Sequence, residues 1–409
     1  MFGGIPHGAL TGGDTELSFL QYGALPPFIT FTRGSNATDF SRTGTLTTVT
    51  IDSPRFDFNP LTIQPRGLLV EGAATNQLIS SNALGSGWSP TFTGTLNGIT
   101  NTQTTGTENG FFYVQYDVSG TATASGALDV GALGSNRINV STGQTWTGSA
   151  YYRFVSGSLA NTTISQLLNV EETTGTVVVG STPATINFTN TITRLQSTRT
   201  MGGTAVTARL AAIVQWNNGA VINFSIRLYA PQYEQTSAAS SYIPTTGASA
   251  TRAVDTALIS NLANIGFNAT QGTFVVEFEP QQVQNNVTSG ILDVYLDINN
   301  FIRLRQGTAN GTSVNFEVTI AGVTTTIGTA AGAMALGSIT KVAFAYQSGN
   351  YAVSFNGAAA ITNALVGVPT VNALEIGGSP NLANKSTWVR RVIYIPTRTP
   401  DAQLPALAL

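Results

Sequence analysis

The sequence predicts an all-β protein, two β-sandwich domains preceded by an extended N-terminal arm, and three observations predict it. Apolar residues recur with period two between turn residues, and no stretch of a dozen holds the i, i+3, i+4, i+7 stripe of an amphipathic helix. The chain carries 20 Phe and 12 Tyr beside abundant Val, Ile and Thr, the residues that suit a pleated surface. Only 9% of residues are charged, against roughly a quarter in an ordinary soluble domain, so Thr, Ser, Asn and Gln must cover the wet faces. Disorder would need few aromatic and β-branched residues, which is not the case here. At 409 residues the chain exceeds a single domain of about 100–200 residues.

The elements follow in order. Residues 1–75 join a Gly-rich leader to Phe28-Ile29-Thr30-Phe31 and to the Pro-punctuated Pro54-Arg55-Phe56-Asp57-Phe58-Asn59-Pro60. Pro and Asn/Asp mark turns there, so this part reads as an extended anchoring arm with short strands. Residues 76–250 hold strand candidates at Phe112 to Tyr116, Thr145 to Phe154, Thr174 to Val179, Ala208 to Gln215 and Val221 to Leu228. Their spacing suits a sandwich or jelly roll. In Trp146 to Phe154 the even positions carry Trp146, Tyr152 and Phe154 and the odd ones Thr147, Ser149 and Arg153, which makes one face dry and the other wet.

Residues 251–270 are expected to be a linker, and 271–409 a second sandwich. In Thr273 to Glu279, Phe274, Val276 and Phe278 share a face opposite Glu277 and Glu279, the pattern of a half-buried edge or outer strand. From Leu292 to Arg305 the apolar set Leu292, Val294, Leu296, Ile298, Ile302 and Leu304 is all even. A three-residue loop at Asn299–Phe301 then sets Ile298 against Ile302, Leu296 against Leu304, and Asp297 opposite Arg303. Asn356-Gly357 is a hairpin signal.

Several function classes are excluded or disfavoured. A net charge of −2 and no basic run longer than Arg390-Arg391 give no electrostatic footprint for nucleic acid. There is no cysteine, hence no disulfide or thiolate metal site. The opening residues have neither a basic n-region nor an apolar h-region, and no apolar run reaches the roughly 18 residues of a membrane span. No phosphate-cradling Gly-rich motif accompanies Lys341 or Lys385. The single histidine, His7, would have to serve any triad from the leader. Glycoside hydrolysis needs only two carboxyl groups about 5–9.5 Å apart. Glu277 and Glu279, roughly 6.6 Å apart along a strand, read more simply as a solvated strand face that discourages aggregation. Glu171 and Glu172 point to opposite faces, and Asp293 and Asp297 sit about 13 Å apart on one strand. The chain therefore reads as a non-enzyme.

The stretch Pro54-Arg55-Phe56-Asp57 to Pro65-Arg66-Gly67-Leu68-Leu69-Val70-Glu71 with Thr75-Asn76, followed by Gln232-Tyr233-Glu234, Ser241-Tyr242-Ile243-Pro244-Thr245-Thr246 and Thr251-Arg252-Ala253, resembles a family of phage and prophage virion proteins. The resemblance covers roughly Leu17 to Asp255, and in that family the intervening region resembles a carbohydrate-binding-module jelly roll. Lys341 to Tyr346, Val353 to Gly357, Leu374 to Gly377 and Arg391 to Tyr394 are similar, more generically, to concanavalin A-like or laminin G-like sandwiches, a fold that assigns no function by itself. The chain departs from the family at Glu71-Gly72-Ala73-Ala74, where a second acidic residue and an Arg are more usual, so the resemblance carries no ion pair to that position. It implies a fibre, spike or tail component on the virion surface, assembled in the host cytoplasm. It further implies a homotrimer, contact with other virion proteins through the arm, and a host cell-surface glycan as ligand. A decoration or cement protein without glycan binding is the alternative, and a polysaccharide depolymerase a more distant one.

A sugar offers apolar C–H faces and hydroxyls, so its site needs an exposed aromatic beside Asn, Gln, Asp or Arg. Trp88, in the loop-like Gly85-Ser86-Gly87-Trp88-Ser89-Pro90, and Trp216 with Asn217 at a hairpin tip are the candidates, and packing at a sandwich end is the plain alternative for both. Trp146 belongs in the core. Tyr113, on the odd face of its strand, and Trp388 fit either role. No cofactor is expected. Carbohydrate-binding jelly rolls as a class commonly hold a structural calcium ion, so the resemblance raises one, with Glu234 as its candidate ligand.

Overall fold

The computed structural model describes residues 13–21, 23–82, 91–92, 96–131, 137–174, 177–184, 189–283, 288–307, 311–382 and 385–409. The chain forms two compact units, one of Met1–Gly44, Thr48–Ala73 and Ala253–Leu409, the other of Thr45–Thr47 and Ala74–Arg252. The second is thus an insertion in the sequence of the first. Its two ends pair with each other, Ala74–Asn76 running antiparallel to Ala250–Arg252.

The first unit is a sandwich of two antiparallel sheets. One has the order Ile361–Asn363, Tyr351–Phe355, Thr340–Gln347, Gln271–Pro280, Ser386–Ile395, Pro65–Glu71, Arg55–Phe58, with Thr15–Ser18 also paired to Ser386–Ile395. The other runs Thr30–Thr32, Thr256–Ile259, Ala373–Ile376, Gly290–Asp297, Asn300–Gln306, Val314–Ile320, Val323–Ala330. Phe274, Val276 and Phe278 from the first sheet and Leu292, Val294, Ile302 and Leu374 from the second meet in one core, as period-two alternation requires.

Three expectations are corrected here. The residues read as an arm supply strands to this sandwich, and Leu17, Phe31, Leu68 and Val70 lie in the same core as Phe274. Each of these strands is only three to seven residues long, too short between Pro and Asn turns to look like sheet until its partner is known. The residues read as a linker likewise hold the Thr256–Ile259 strand, whose Ala257 and Ile259 are fully buried, and a 3-10 turn at Leu262–Ile265. Finally, Gln271–Pro280 is a central strand, paired on both sides. Its outer face is dry because Val275, Ala343, Ala345 and Ile393 pack under Leu404 and Ala408 of the C-terminal turn.

The hairpin register also differs. Leu292 faces Leu304, Val294 faces Ile302 and Asp293 faces Arg303, with a bulge between Tyr295 and Asp297. The pairing is shifted by four residues from the expected one, an even number, so the apolar face stays apolar. Leu296 and Ile298 are left exposed, and Asp297 accepts from the Asn299 amide at the turn. At Asn356-Gly357 both residues have positive φ, 47° and 76°, as a two-residue hairpin turn demands.

The inserted unit is also a two-sheet sandwich. A five-stranded sheet has the order Thr193–Thr200, Thr145–Ser158, Val221–Glu234, Phe111–Thr121, Ile99–Glu108. A six-stranded sheet runs Val177–Pro183, Ile164–Thr174, Thr207–Trp216, Gly126–Gly131, Thr91–Phe92, with Ile138–Asn139 paired to Thr207–Trp216. Between them lie Val114, Tyr116, Trp146, Tyr152, Val170, Leu210, Val214, Ile226 and Leu228.

Candidate functional site

The outer face of the five-stranded sheet is where chemistry collects. Its even residues Val114, Tyr116, Val118, Phe224, Ile226, Leu228 and Tyr152 point into the core. The odd residues from Phe111 to Asp117, from Tyr151 to Arg153 and from Ser225 to Tyr229 therefore point out, whereas past Ala230, whose φ is 45°, parity flips and Tyr233 returns to the core. Register aligns them in rows: Tyr113 opposite Tyr229 and Tyr229 opposite Tyr151, then Gln115 opposite Arg227 and Arg227 opposite Arg153, then Asp117 opposite Ser225. An aromatic row thus lies beside a polar one. Glu108 is delivered by the adjoining hairpin, whose turn residues Asn109 and Gly110 have φ of 49° and 79°, the tight left-handed turn that closes a two-residue loop.

Hydrogen bonds join these side chains into one network. The Glu108 carboxylate accepts from Arg153 Nη1, from Arg227 Nη1 at 2.8 Å and from the Tyr229 hydroxyl at 2.7 Å. Arg227 Nε donates to Gln115 Oε1 at 2.7 Å. Gln115 Nε2 donates to both oxygens of Asp117, at 2.9 and 3.1 Å, and Ser225 Oγ donates to Asp117 as well. The Arg227 guanidinium lies 4.1 Å from the Tyr113 ring centroid, a cation–π contact. Tyr113 and Tyr229 meet edge to face at 5.7 Å, and Phe111 lies 4.6 Å from Tyr151. Partial burial opposes the charge on Glu108, but the Tyr229 hydroxyl, Arg227 and Arg153 outweigh it and hold this carboxyl below its ordinary range. Burial, reinforced by Glu108, pushes the Tyr229 phenol up, so it stays a donor. Side chains fixed by one another in this way present hydroxyl-reading groups beside a partly exposed ring, at little further ordering cost.

The sequence-predicted candidates fall elsewhere. Trp88 and His7 lie outside the described residues. Trp216 is 1% exposed and belongs to the inserted unit's core, so it is no sugar platform. Parity decides this, because Leu210, Ala212, Val214 and Trp216 share the inward face of their strand. Asn217, in the turn that follows, is exposed. Trp146 stacks on Tyr233 at 5.2 Å within the core. Trp388 is 7% exposed in the other unit, donating to Asp57 at 2.7 Å with Arg66 over its ring.

The acidic pairs are bound rather than solvated. Glu277 holds Arg390 at 2.9 Å and Arg391 at 3.2 Å, and Glu279 lies 3.4 Å from Arg66. Glu171 accepts from Arg209 and Asn169, and Glu172 from Arg199 and the Gly202 amide. Asp293 accepts from Arg303 and Ser379. Glu71 has an ion partner after all, Arg55 at 2.6 Å on the adjacent strand.

Glu234 does not fit a calcium ligand. It is fully buried, and its two oxygens accept from the Ser240 amide and hydroxyl and from Gln232 Nε2. Its surroundings supply hydrogens where a cation would need oxygen lone pairs. Burial pushes its carboxyl up, against the pull of Ser240, Gln232, Arg194 and Arg252. Among the described residues no group of three or more His, Cys, Asp or Glu could hold a metal ion. These segments serve structure: Asn76 Nδ2 donates to the Ile243 carbonyl, Gln232 Oε1 accepts from the Ile243 amide, and Ser81 bonds Tyr242 and Thr245. These bonds tie the entry and exit of the inserted unit together.

The residues of the outer face that sequence reasoning missed are Glu108, Gln115, Asp117, Arg227 and Tyr229. The available signal was the odd parity of Phe111 to Asp117, which singled out Tyr113, and the wet-side assignment of Arg153. Their convergence depends on register across three strands, which no local pattern carries.

No family model matches the chain, and no curated protein matches it. Among solved structures it is similar to the carbohydrate-binding module CBM40 of the Ruminococcus gnavus IT-sialidase, at 17% identity and a TM-score of 0.30, over 35% of this chain and 84% of that one. Domain 4 of AbnA, an arabinanase from Geobacillus stearothermophilus, matches at 13% identity and a TM-score of 0.31, over 38% of this chain and 73% of that one. Trypanosoma rangeli sialidase matches at 14% identity and a TM-score of 0.30, over 38% of this chain and 26% of that one.

Proposed function

We propose that the protein is a non-catalytic structural component of a bacteriophage surface, a fibre, spike or tail protein, whose inserted unit binds a host cell-surface glycan. The observation that carries the binding half is the outer face of the five-stranded sheet, where Tyr113 stands beside the braced set Glu108, Gln115, Asp117, Arg153 and Arg227. A ring for C–H faces and fixed donors and acceptors for hydroxyls are what a saccharide requires. The virion half is supported by the motif resemblance, which covers roughly Leu17 to Asp255. Partners in this reading are other virion proteins and two further copies of the chain, since a trimer multiplies weak sugar sites into avidity. Attachment through residues 1–75 as a free arm is not part of the proposal, because Thr15–Ser18, Thr30–Thr32, Arg55–Phe58 and Pro65–Glu71 are committed to sheets.

The test is binding of the purified protein to host polysaccharide fragments. Tyr113→Ala is expected to weaken binding about tenfold, a value for loss of one stacking ring and its cation–π partner, with circular dichroism showing that the variant still folds. Binding that is untouched by Tyr113→Ala, or absent for every fragment, would remove the reading. Gold-labelled antibody on intact particles checks the virion half, with surface decoration expected.

A further inference from the structure

We propose that the glycan taken by this face is acidic, its carboxylate, sulfate or phosphate group bridging Arg153 and Arg227. This rests on the glycan-binding reading of the same face. Arg153 and Arg227 are direct cross-strand partners, and like charges placed opposite one another on a sheet are destabilising. A single carboxylate, Glu108, lies between them and pairs with both. Asp117 is held by Gln115 and Ser225 and forms no ion pair with either arginine among the described residues. The two arginines therefore share one directly contacting carboxylate, while Asp117, which balances the face to two charges of each sign, stands a step away behind Gln115.

Each guanidinium also keeps a free end. Arg153 uses Nη1 for Glu108, and Arg227 uses Nη1 for Glu108 and Nε for Gln115, so the Nη2 of each has no protein hydrogen bond among the described residues. Their side chains are 32% and 21% exposed, enough for a ligand to reach. A guanidinium donates in a planar fork that matches an oxyanion, and Glu108 fixes both forks before the ligand arrives. A bridging anion would accept from both free Nη2 ends, while Gln115 and Asp117 accept from ring hydroxyls and the exposed part of the Tyr113 ring takes a C–H face.

The experiment is calorimetric titration of the full-length protein with uronate-bearing, sialylated and sulfated oligosaccharides, each alongside its neutral counterpart made by carboxyl reduction or desulfation. At least one acidic member is expected to bind about tenfold or more tightly than its neutral form, and to weaken as salt is raised. Arg153→Gln is expected to erase that preference and Arg153→Lys to restore part of it, with circular dichroism melts confirming that both variants fold. Neutral forms binding as well as acidic ones, with sensitivity to Tyr113→Ala retained, would overturn the acidic class and leave the glycan reading standing. No binding by any member would sink both.

Discussion

Asp255 receives Arg33 at 3.3 Å on one oxygen and Arg55 and the Glu71 amide on the other, and all three ionic side chains are fully buried. Removing the shared anion takes a buried counter-charge from Arg33 and leaves Arg55 paired with Glu71 alone of its two carboxylates. Asp255→Asn is therefore expected to cost about 3–5 kcal/mol, read as a lowered urea midpoint, and an unchanged midpoint would contradict the buried clamp. Asp293 behaves in the opposite sense. Burial pushes its carboxyl up to about 6 from 3.8, with Glu375 adding to the rise and Arg303 and Ser379 opposing it. Lys385, paired with Glu375 on the neighbouring strand, is the remaining charge in the cluster. A folded-state value above the unfolded one means that the fold holds this proton more tightly. The associated stability is fully present below about pH 4 and is lost as pH rises through about 6. Asp57, pushed up to about 6 by burial, adds a second contribution of the same sign. Urea unfolding of the protein should show stability falling from pH 4 to pH 6.5, and Asp293→Asn should flatten part of that slope. An identical slope in the variant would refute the assignment. None of these partners was legible in the sequence. A carboxylate reads as solvent-facing until the arginine that desolvates with it is located, and Asp255 meets Arg33 across 222 positions of chain.

Elements were legible to the extent that they are local. Parity placed Phe274, Val276, Phe278, Trp146 and Tyr152 on dry faces because alternation needs only neighbouring residues. Register was not legible, as the four-residue shift between Gly290–Asp297 and Asn300–Gln306 illustrates. Every even shift satisfies the apolar pattern equally, so the bulge at Tyr295–Asp297 had nothing local to announce it. Gly67 carries an element-scale prediction. Its φ is +111°, and a Cβ there would sit 2.2 Å from the Val389 carbonyl oxygen of the paired strand. Gly67→Ala must push the Pro65–Glu71 strand off Ser386–Ile395 or strain its backbone, at a cost of about 2–3 kcal/mol. Differential scanning calorimetry should find a clearly lowered transition, and wild-type melting would mean that the close approach is not maintained in solution.

At the scale of the whole molecule, chain order was misleading. The residues read as an arm and a linker complete the same sandwich as the C-terminal strands, because Ala74–Arg252 is inserted between them. Since Ala74–Asn76 and Ala250–Arg252 close the insertion on itself, a fragment of residues 74–252 is expected to unfold in one cooperative transition, as single domains do. A fragment that never orders by circular dichroism would contradict its independence. The most direct test of the functional account is a crystal structure of the full-length protein with a host-surface oligosaccharide bound. The account predicts a sugar ring on Tyr113 with polar contacts to Arg227, Arg153 and Gln115. A sugar seated elsewhere, with this face bare, would contradict it.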